Sequence, residues 1–385
     1  MKSIKKFLKG LISIILLLVV LAYITDYEYI LKGVRVVYMT GHISAYIDDY
    51  PYFENEEIAN STPEPWPLHK SYNSVKATLE LDKTNQELGT VAFLIIKNDS
   101  IWYEQYDEDS EIKYGPTSKT NSFSMAKSIT SALLGKAIQD GYIKNLDQPL
   151  GDFFEQYAAS KTTVGDLSSM SSGLDWQESY TSPFSVTARA YYDDDLAETI
   201  LNQKVIETPG VSFKYLSGNT QLLGMVLEKA TGKKLATYLS DSFWKPMGME
   251  QPALWQVDDT ENRLVKTYCC ISSNARDFAK FGKLYKDHGK WNGKQLLDAS
   301  FVSKSIQPRF PEDDMYGYGF WLSNHKGKKI FVMRGILGQY VITIPEDNLI
   351  IVRLGHKRGG FTPKASFTKD FYTYIDEAYT MLENN

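Results

Sequence analysis

The sequence predicts an α+β fold in which one antiparallel sheet is assembled from the two ends of the chain and a helical lobe is inserted between them. Three observations carry this reading: a pair of β-type segments around residue 98, a second group of such segments after residue 318, and helical periodicity in the stretch between. Length and composition agree. With 385 residues and 43% hydrophobic content, the chain can bury one large core, or one core with an inserted lobe.

At the N-terminus, Lys2, Lys5, Lys6 and Lys9 precede an uncharged, mostly apolar run over residues 10–24, closed by Asp26. A basic flank followed by an apolar segment reads as an export signal that leaves the lysines in the cytoplasm and carries the rest of the chain outside. The run falls short of the roughly 20 residues of a full span, but Phe7 and Leu8 extend it if Lys9 snorkels. Residues 1–25 are therefore read as a membrane anchor or signal segment, with an uncleaved anchor preferred to removal after Val20-Leu21-Ala22. Residues 26–85 are rich in Tyr, Asp, Glu and Pro and stiffest at Thr62-Pro-Glu-Pro-Trp-Pro67. This composition reads as an extended arm or linker lying against the body and contributing no chemistry.

The body, residues 86–385, opens with β-type segments at 89–96 and 101–106 flanking Lys97-Asn-Asp-Ser100, a hairpin signal. Segments 318–322, 329–333, 340–344 and 349–354 read as later strands, the last two separated by the turn Pro345-Glu-Asp-Asn348. Residues 221–230 and 275–286 carry helical patterns.

Several function classes are disfavoured by composition. The net charge of -5, with lysines interspersed among acids, gives no electrostatic reason to expect nucleic acid as a partner. His42, His69, His288, His325 and His356 are scattered without metal-ligand spacing, so no metal or cofactor is expected. Cys269 and Cys270 are adjacent, could bridge each other only through a strained eight-membered ring, and read as small filling side chains. No G-x-S-x-G elbow, Walker loop or dinucleotide fingerprint is present.

The chemistry-bearing feature is Ser124-Met-Ala-Lys127. On a helix beginning near Ser124, a spacing of three puts hydroxyl and amine on one face, where a poorly solvated amine can take the serine proton. The spacing alone is weak, since Ser3/Lys6, Ser110/Lys113, Ser242/Lys245 and Ser323/Lys326 repeat it. Only the Ser124 copy is followed by an apolar helical face, made of Ile129, Leu133, Leu134, Ala137 and Ile138 and ending near Gly141. Ser124 then sits at the start of a buried helix, where free N–H groups and the helix dipole favour developing negative charge. For a second proton carrier the best candidate is Tyr215, followed by the polar turn Ser217-Gly-Asn219 that feeds a helix; near a protonated lysine its pKa is expected to drop enough for a phenolate base.

Ser124-Met-Ala-Lys127, the stretch Thr163-Val-Gly-Asp-Leu-Ser-Ser-Met-Ser-Ser-Gly-Leu174 and Tyr215-Leu-Ser-Gly-Asn-Thr-Gln-Leu-Leu-Gly224 resemble successive blocks of the serine β-lactamase-related hydrolases. Trp244-Lys-Pro-Met-Gly-Met249, Asn274-Ala-Arg-Asp-Phe-Ala-Lys-Phe-Gly282 and Tyr316-Gly-Tyr-Gly-Phe-Trp321 continue the series in order. Within that superfamily the chain is similar to the class C type and to 6-aminohexanoate-dimer hydrolases and related esterases. The resemblance implies a β-lactamase/penicillin-binding-protein-like fold and roles by position: Ser124 as acylated nucleophile, Lys127 as its proton partner and Tyr215 as general acid/base. It also implies an oxyanion hole from the amides of Ser124 and Ile336.

Two departures from the family pattern bear on substrate. Ser217 stands where β-lactamases of this type usually carry Asn, and Met333-Arg334-Gly335 replaces the usual Lys-Thr-Gly or His-Thr-Gly. Arg334 either substitutes for the missing cation or points outward along its strand. Trp176 and Tyr180 are candidate aromatic walls for substrate, weighed against simple packing. Asp166, Asp175, Asp193, Asp194 and Asp195 are candidate cleft acids that fit solvated faces as well, and His356 is a candidate that fits a structural role. The expected function is hydrolysis of an ester or amide through an acyl-enzyme. A peptidoglycan DD-peptidase or β-lactamase, and a non-catalytic binding protein of the same fold, are the alternatives.

Overall fold

The computed structural model describes residues 2–362 and 365–384. Six antiparallel strands form the main sheet, in the spatial order Ser100–Tyr106, Thr90–Lys97, Leu349–Gly355, Gln339–Ile344, Lys328–Gly335, Trp321–His325. The first hairpin thus pairs with the last strand of the sequence, Ile95 opposite Ile351, so the two chain ends close one sheet as expected. Its central strands are buried on both faces, which is why Thr90–Lys97 and Leu349–Gly355 read as continuous apolar runs. One face packs on Leu79–Leu88 and Lys369–Glu383; the other packs on Ala275–Lys286 and continues into the main core.

The inserted lobe supplies the helices Met125–Gln139 and Ser217–Thr231, both buried along most of their length. A second sheet, ordered Asn55–Ile58, Ala253–Gln256, Ile271–Ser273, Thr120–Asn121, runs up to the start of the Met125–Gln139 helix. It sets Asn121, and hence Ser124, against the lobe. The strand boundary expected at residue 318 starts later, at Trp321, because the Tyr318 and Gly319 amides donate to Ser305 O and Ser168 O rather than to a strand partner, and Gly319 is at φ +83°.

Residues 26–85, read above as an extended arm, are built into the body. Tyr29–Val36 is a helix, Asn55–Ile58 is a sheet strand, and Ile47, Phe53, Ile58, Trp66 and Leu81 are core residues. The composition that hid this is aromatic and acidic, and those same aromatics pack inward: Phe53 meets Tyr191 edge-on at 5.4 Å between centroids. Ahead of it, Lys2–Ile24 is one continuous helix, and the most apolar 18 residues of Ser3–Ile24 have a mean hydropathy of 2.6, with none of them buried. By length and composition it can cross a membrane. Cys269 and Cys270, expected as filling side chains, are both buried and joined to each other as a disulfide.

Candidate active site

Asn121, Phe123 and Ser124 build the first corner of the site. Asn121 accepts the Phe123 N–H through Oδ1 at 2.9 Å and donates through Nδ2 to buried Asp49 at 3.1 Å. That clamp holds Phe123 at φ +45°, a left-handed conformation costly for a bulky residue, and the turn it makes delivers Ser124 to the N-cap of Met125–Gln139. An N-cap serine ordinarily accepts an N–H of the first turn. Ser124 makes no such bond, and its hydroxyl instead meets Lys127 Nζ at 3.1 Å.

Lys127 is 2% exposed, and its ammonium group also reaches Ser217 Oγ at 3.1 Å and the Tyr268 carbonyl at 2.8 Å. Burial lowers its pKa to about 8, with the Glu178 charge pulling the other way. Nζ lies 5.0 Å from the Tyr215 ring centroid and 5.6 Å from that of Tyr268. Tyr215, brought in just ahead of Ser217–Thr231, lies close enough to Ser124 for the serine hydroxyl to pull the phenol pKa down. Its pKa moves in the direction opposite to the phenolate expectation. Burial and the Glu178 charge push it up, outweighing the downward pull of Ser124 and Arg334.

Sequence reasoning missed Glu178. One of its oxygens accepts the Ser217 N–H at 2.7 Å and the Trp176 indole N–H at 2.8 Å; the other accepts the Ser217 hydroxyl at 2.7 Å and the Tyr180 hydroxyl. A carboxylate at the first N–H of a helix also satisfies the helix dipole. The one available signal was an acid between the two aromatics already singled out.

Among the other candidates, Trp176 is 3% exposed and packs behind the site, where a Cβ on Gly218 would lie 2.5 Å from its ring. Tyr180 is half exposed at the cavity wall. Gly335 passes so close to the turn that carries Ser124 that a Cβ there would lie 2.4 Å from Ser122 O. Met333 is buried in the core, and the Arg334 charge is close enough to Tyr215 to pull the phenol pKa down. Its guanidinium sits 4.7 Å from Trp321 and 4.9 Å from Phe367 and donates to Ser366 O at 3.0 Å. The amides of Ser124 and Ile336 donate to no group among the described residues, and Leu337, next to Ile336, is at φ +62°.

The remaining acids are structural. Asp166 caps its own helix and pairs with Arg309 at 2.6 Å, Asp193 pairs with Arg189, Asp194 with Lys32, and Asp195 caps Leu196–Leu201; Asp175 is exposed. His356 packs edge-on against Tyr114 and makes no contact with Ser124, Lys127 or Tyr215.

A model of the family described as Beta-lactamase matches residues 75–369. The 6-aminohexanoate-dimer hydrolase of Paenarthrobacter ureafaciens is 24% identical over 301 residues, 71% of this chain and 74% of that protein. Protein flp of Staphylococcus aureus (strain NCTC 8325 / PS 47) is 24% identical over 326 residues, 76% of this chain and 65% of that one. Among solved structures, a Bacillus anthracis protein provisionally named 6-aminohexanoate-dimer hydrolase superposes with a TM-score of 0.72 at 20% identity, covering 91% of this chain and 93% of its own. The fold is that of the β-lactamases and penicillin-binding proteins, and the chain belongs to the Beta-lactamase family.

Proposed function

We propose that the protein is a membrane-anchored serine hydrolase that cleaves an ester or a linear amide through an acyl-enzyme on Ser124, with its catalytic body outside the cytoplasm. Lys127 is the base. Its pKa of about 8 leaves a useful neutral fraction near neutral pH, whereas the phenol of Tyr215 is held protonated. The Ser124 proton passes to Lys127 Nζ as Oγ bonds the substrate carbonyl carbon, and the amides of Ser124 and Ile336 receive the oxyanion. Collapse of the tetrahedral intermediate breaks the bond to the leaving group, which takes a proton from Tyr215. Lys127 returns its proton to Tyr215, and water then attacks the acyl-enzyme by the same route in reverse.

The observation that carries this reading is the commitment of the Lys127 hydrogen bonds. Ser217 gives its own proton to Glu178, so toward Lys127 it can only accept, and Tyr268 O can only accept. With two N–H groups so occupied, the lone pair of the neutral amine is left for the Ser124 hydroxyl. Met333, in the core, offers no cation for a β-lactam carboxylate, and the Arg334 guanidinium is engaged by Trp321, Phe367 and Ser366 O. The Paenarthrobacter relative, named for hydrolysis of a 6-aminohexanoate dimer, supports a linear amide.

Intact mass after exposure to a fluorophosphonate and to ester, amide and β-lactam panels tests this. One phosphonyl adduct is expected in the wild type and none in Ser124→Ala. A folded wild type that takes no adduct from any of them makes the chain a binding protein; turnover of nitrocefin would move the assignment to β-lactams.

A further inference from the structure

The cavity that opens onto Ser124 is walled in large part by the segment directly after the anchor helix. It holds about 180 Å³, near the roughly 150 Å³ of an engineered apolar cavity that accommodates benzene. Phe123, Ser124 and Ile336 line it, and so do Tyr29, Val34, Val37 and Ala45 from the segment after the anchor helix. That wall is fixed to the body. Tyr29 donates to Pro183 O at 2.9 Å, Lys32 pairs with Asp194, and Gly33 passes over the Tyr192 ring, which a Cβ would touch at 3.4 Å.

Beyond the wall the apolar surface continues into solvent. Val34 is 40% exposed, Tyr38 64%, Met39 77% and Ile43 89%. An apolar rim of this kind, continuous with a nucleophile, marks a place where an apolar group enters. Four residues separate Ile24 from Tyr29, so Tyr29, at the start of the wall, lies within about 18 Å of the end of the anchor helix however that helix is oriented.

Resting on the hydrolase reading above, we infer that the substrate is an amphiphile whose acyl chain occupies this cavity, entering from the membrane side past Tyr38 and Ile43. The acyl side is assigned by the proton donor. The leaving group must receive its proton from Tyr215, and Tyr215 is not among the residues that line the cavity; its ring packs at 5.3 Å from Trp321, which does not line it either. The carbonyl substituent then faces the cavity, and the leaving group, a polar alcohol or amine, exits by Trp321. The N-terminal segment is thereby a specificity element as well as a tether.

The full chain in phosphatidylcholine nanodiscs is assayed on p-nitrophenyl acetate, butyrate, hexanoate and octanoate. Burial of each methylene is expected to raise kcat/KM about threefold to fourfold until the cavity is filled, near six to eight carbons. Ala45→Trp, which plugs the cavity, and Val34→Asp, at a half-exposed position where folding is not at stake, are each expected to cut the octanoate-to-acetate ratio at least fivefold. Partition of long esters into the nanodisc is common to all three proteins and cancels in that comparison. A ratio the same in wild type and both variants, with acetate still hydrolysed, overturns the acyl-cavity proposal and leaves the hydrolase reading standing. No hydrolysis of any ester together with no fluorophosphonate adduct on Ser124 overturns both.

Discussion

Glu178 holds Ser217 by two bonds of 2.7 Å, one from its amide and one from its hydroxyl. The first fixes the start of Ser217–Thr231; the second decides that the Ser217 oxygen faces Lys127 as an acceptor. Glu178→Gln keeps the shape and removes the charge that raises the Lys127 pKa, so that pKa falls further. The acid limb of the kcat/KM profile is expected to move to lower pH. Glu178→Ala, which also frees the Ser217 hydroxyl, is expected to lower kcat/KM about tenfold to a hundredfold. Variants that only lose thermal stability, with the limb unmoved, would show that Glu178 is scaffolding.

The pKa of Lys127 has opposite consequences for activity and for stability. With Lys127 as the proposed base, activity needs the neutral amine, so kcat/KM of the wild type should climb with pH and level off above about pH 8. For stability the folded pKa of about 8 lies below the ordinary lysine value of about 10.4. Between the two the unfolded chain binds more protons, so this group's contribution to stability rises with pH across that window and is least favourable below pH 8. Lys127→Met should therefore match or exceed the wild-type Tm at pH 7 while losing at least about 1,000-fold in kcat. A markedly lower Tm in scanning calorimetry would contradict a buried, costly amine.

The fold was legible where periodicity is strong. The hairpin at 90–106, the helix Ala275–Lys286 and the pairing of both chain ends follow from apolar runs and turn residues that tertiary contacts do not override. Ser124, Lys127 and Tyr215 could be singled out from short local blocks, and the fold brings Ser124 and Tyr215 to the Lys127 ammonium group. Glu178 and the 26–85 segment were not legible. Glu178 lies in a stretch without helix or strand, and its four donors come from Ser217, Trp176 and Tyr180, so no local pattern marks it. The segment 26–85 alternates short helices and turns whose buried residues, Asp49 among them, follow no period.

Asn121 links that segment to the nucleophile. Through its side chain it accepts the Phe123 amide and donates to Asp49 at 3.1 Å and to Tyr191 at 3.3 Å. Asn121→Ala leaves a buried carboxylate short of a donor and Phe123 free to leave its left-handed conformation. A loss of about 1–3 kcal/mol in urea unfolding is expected, with a fall in the rate of fluorophosphonate labelling at Ser124. Labelling at the wild-type rate would mean that the turn holds its shape without the clamp.

Gly335 tests the contact between the sheet and the nucleophile turn. Its φ of -115° is open to any residue, so the requirement for glycine comes from space alone. A Cβ would lie 2.4 Å from Ser122 O and 3.0 Å from the Gln339 side chain, and a backbone carbonyl cannot step aside as a flexible side chain could. Gly335→Ala must push the strand away from residues 122–124, which moves the Ile336 amide relative to Ser124. An overpacking cost of about 1–3 kcal/mol is expected. Loss of kcat should be steeper than loss of stability, about a hundredfold or more, because the amide proposed as an oxyanion donor is displaced. Gly115→Ala, where no atom lies within 4 Å, is the matched control and should change stability by no more than about 0.5 kcal/mol. Equal kinetics in Gly335→Ala and Gly115→Ala would show that the strand does not position the amide on which turnover depends.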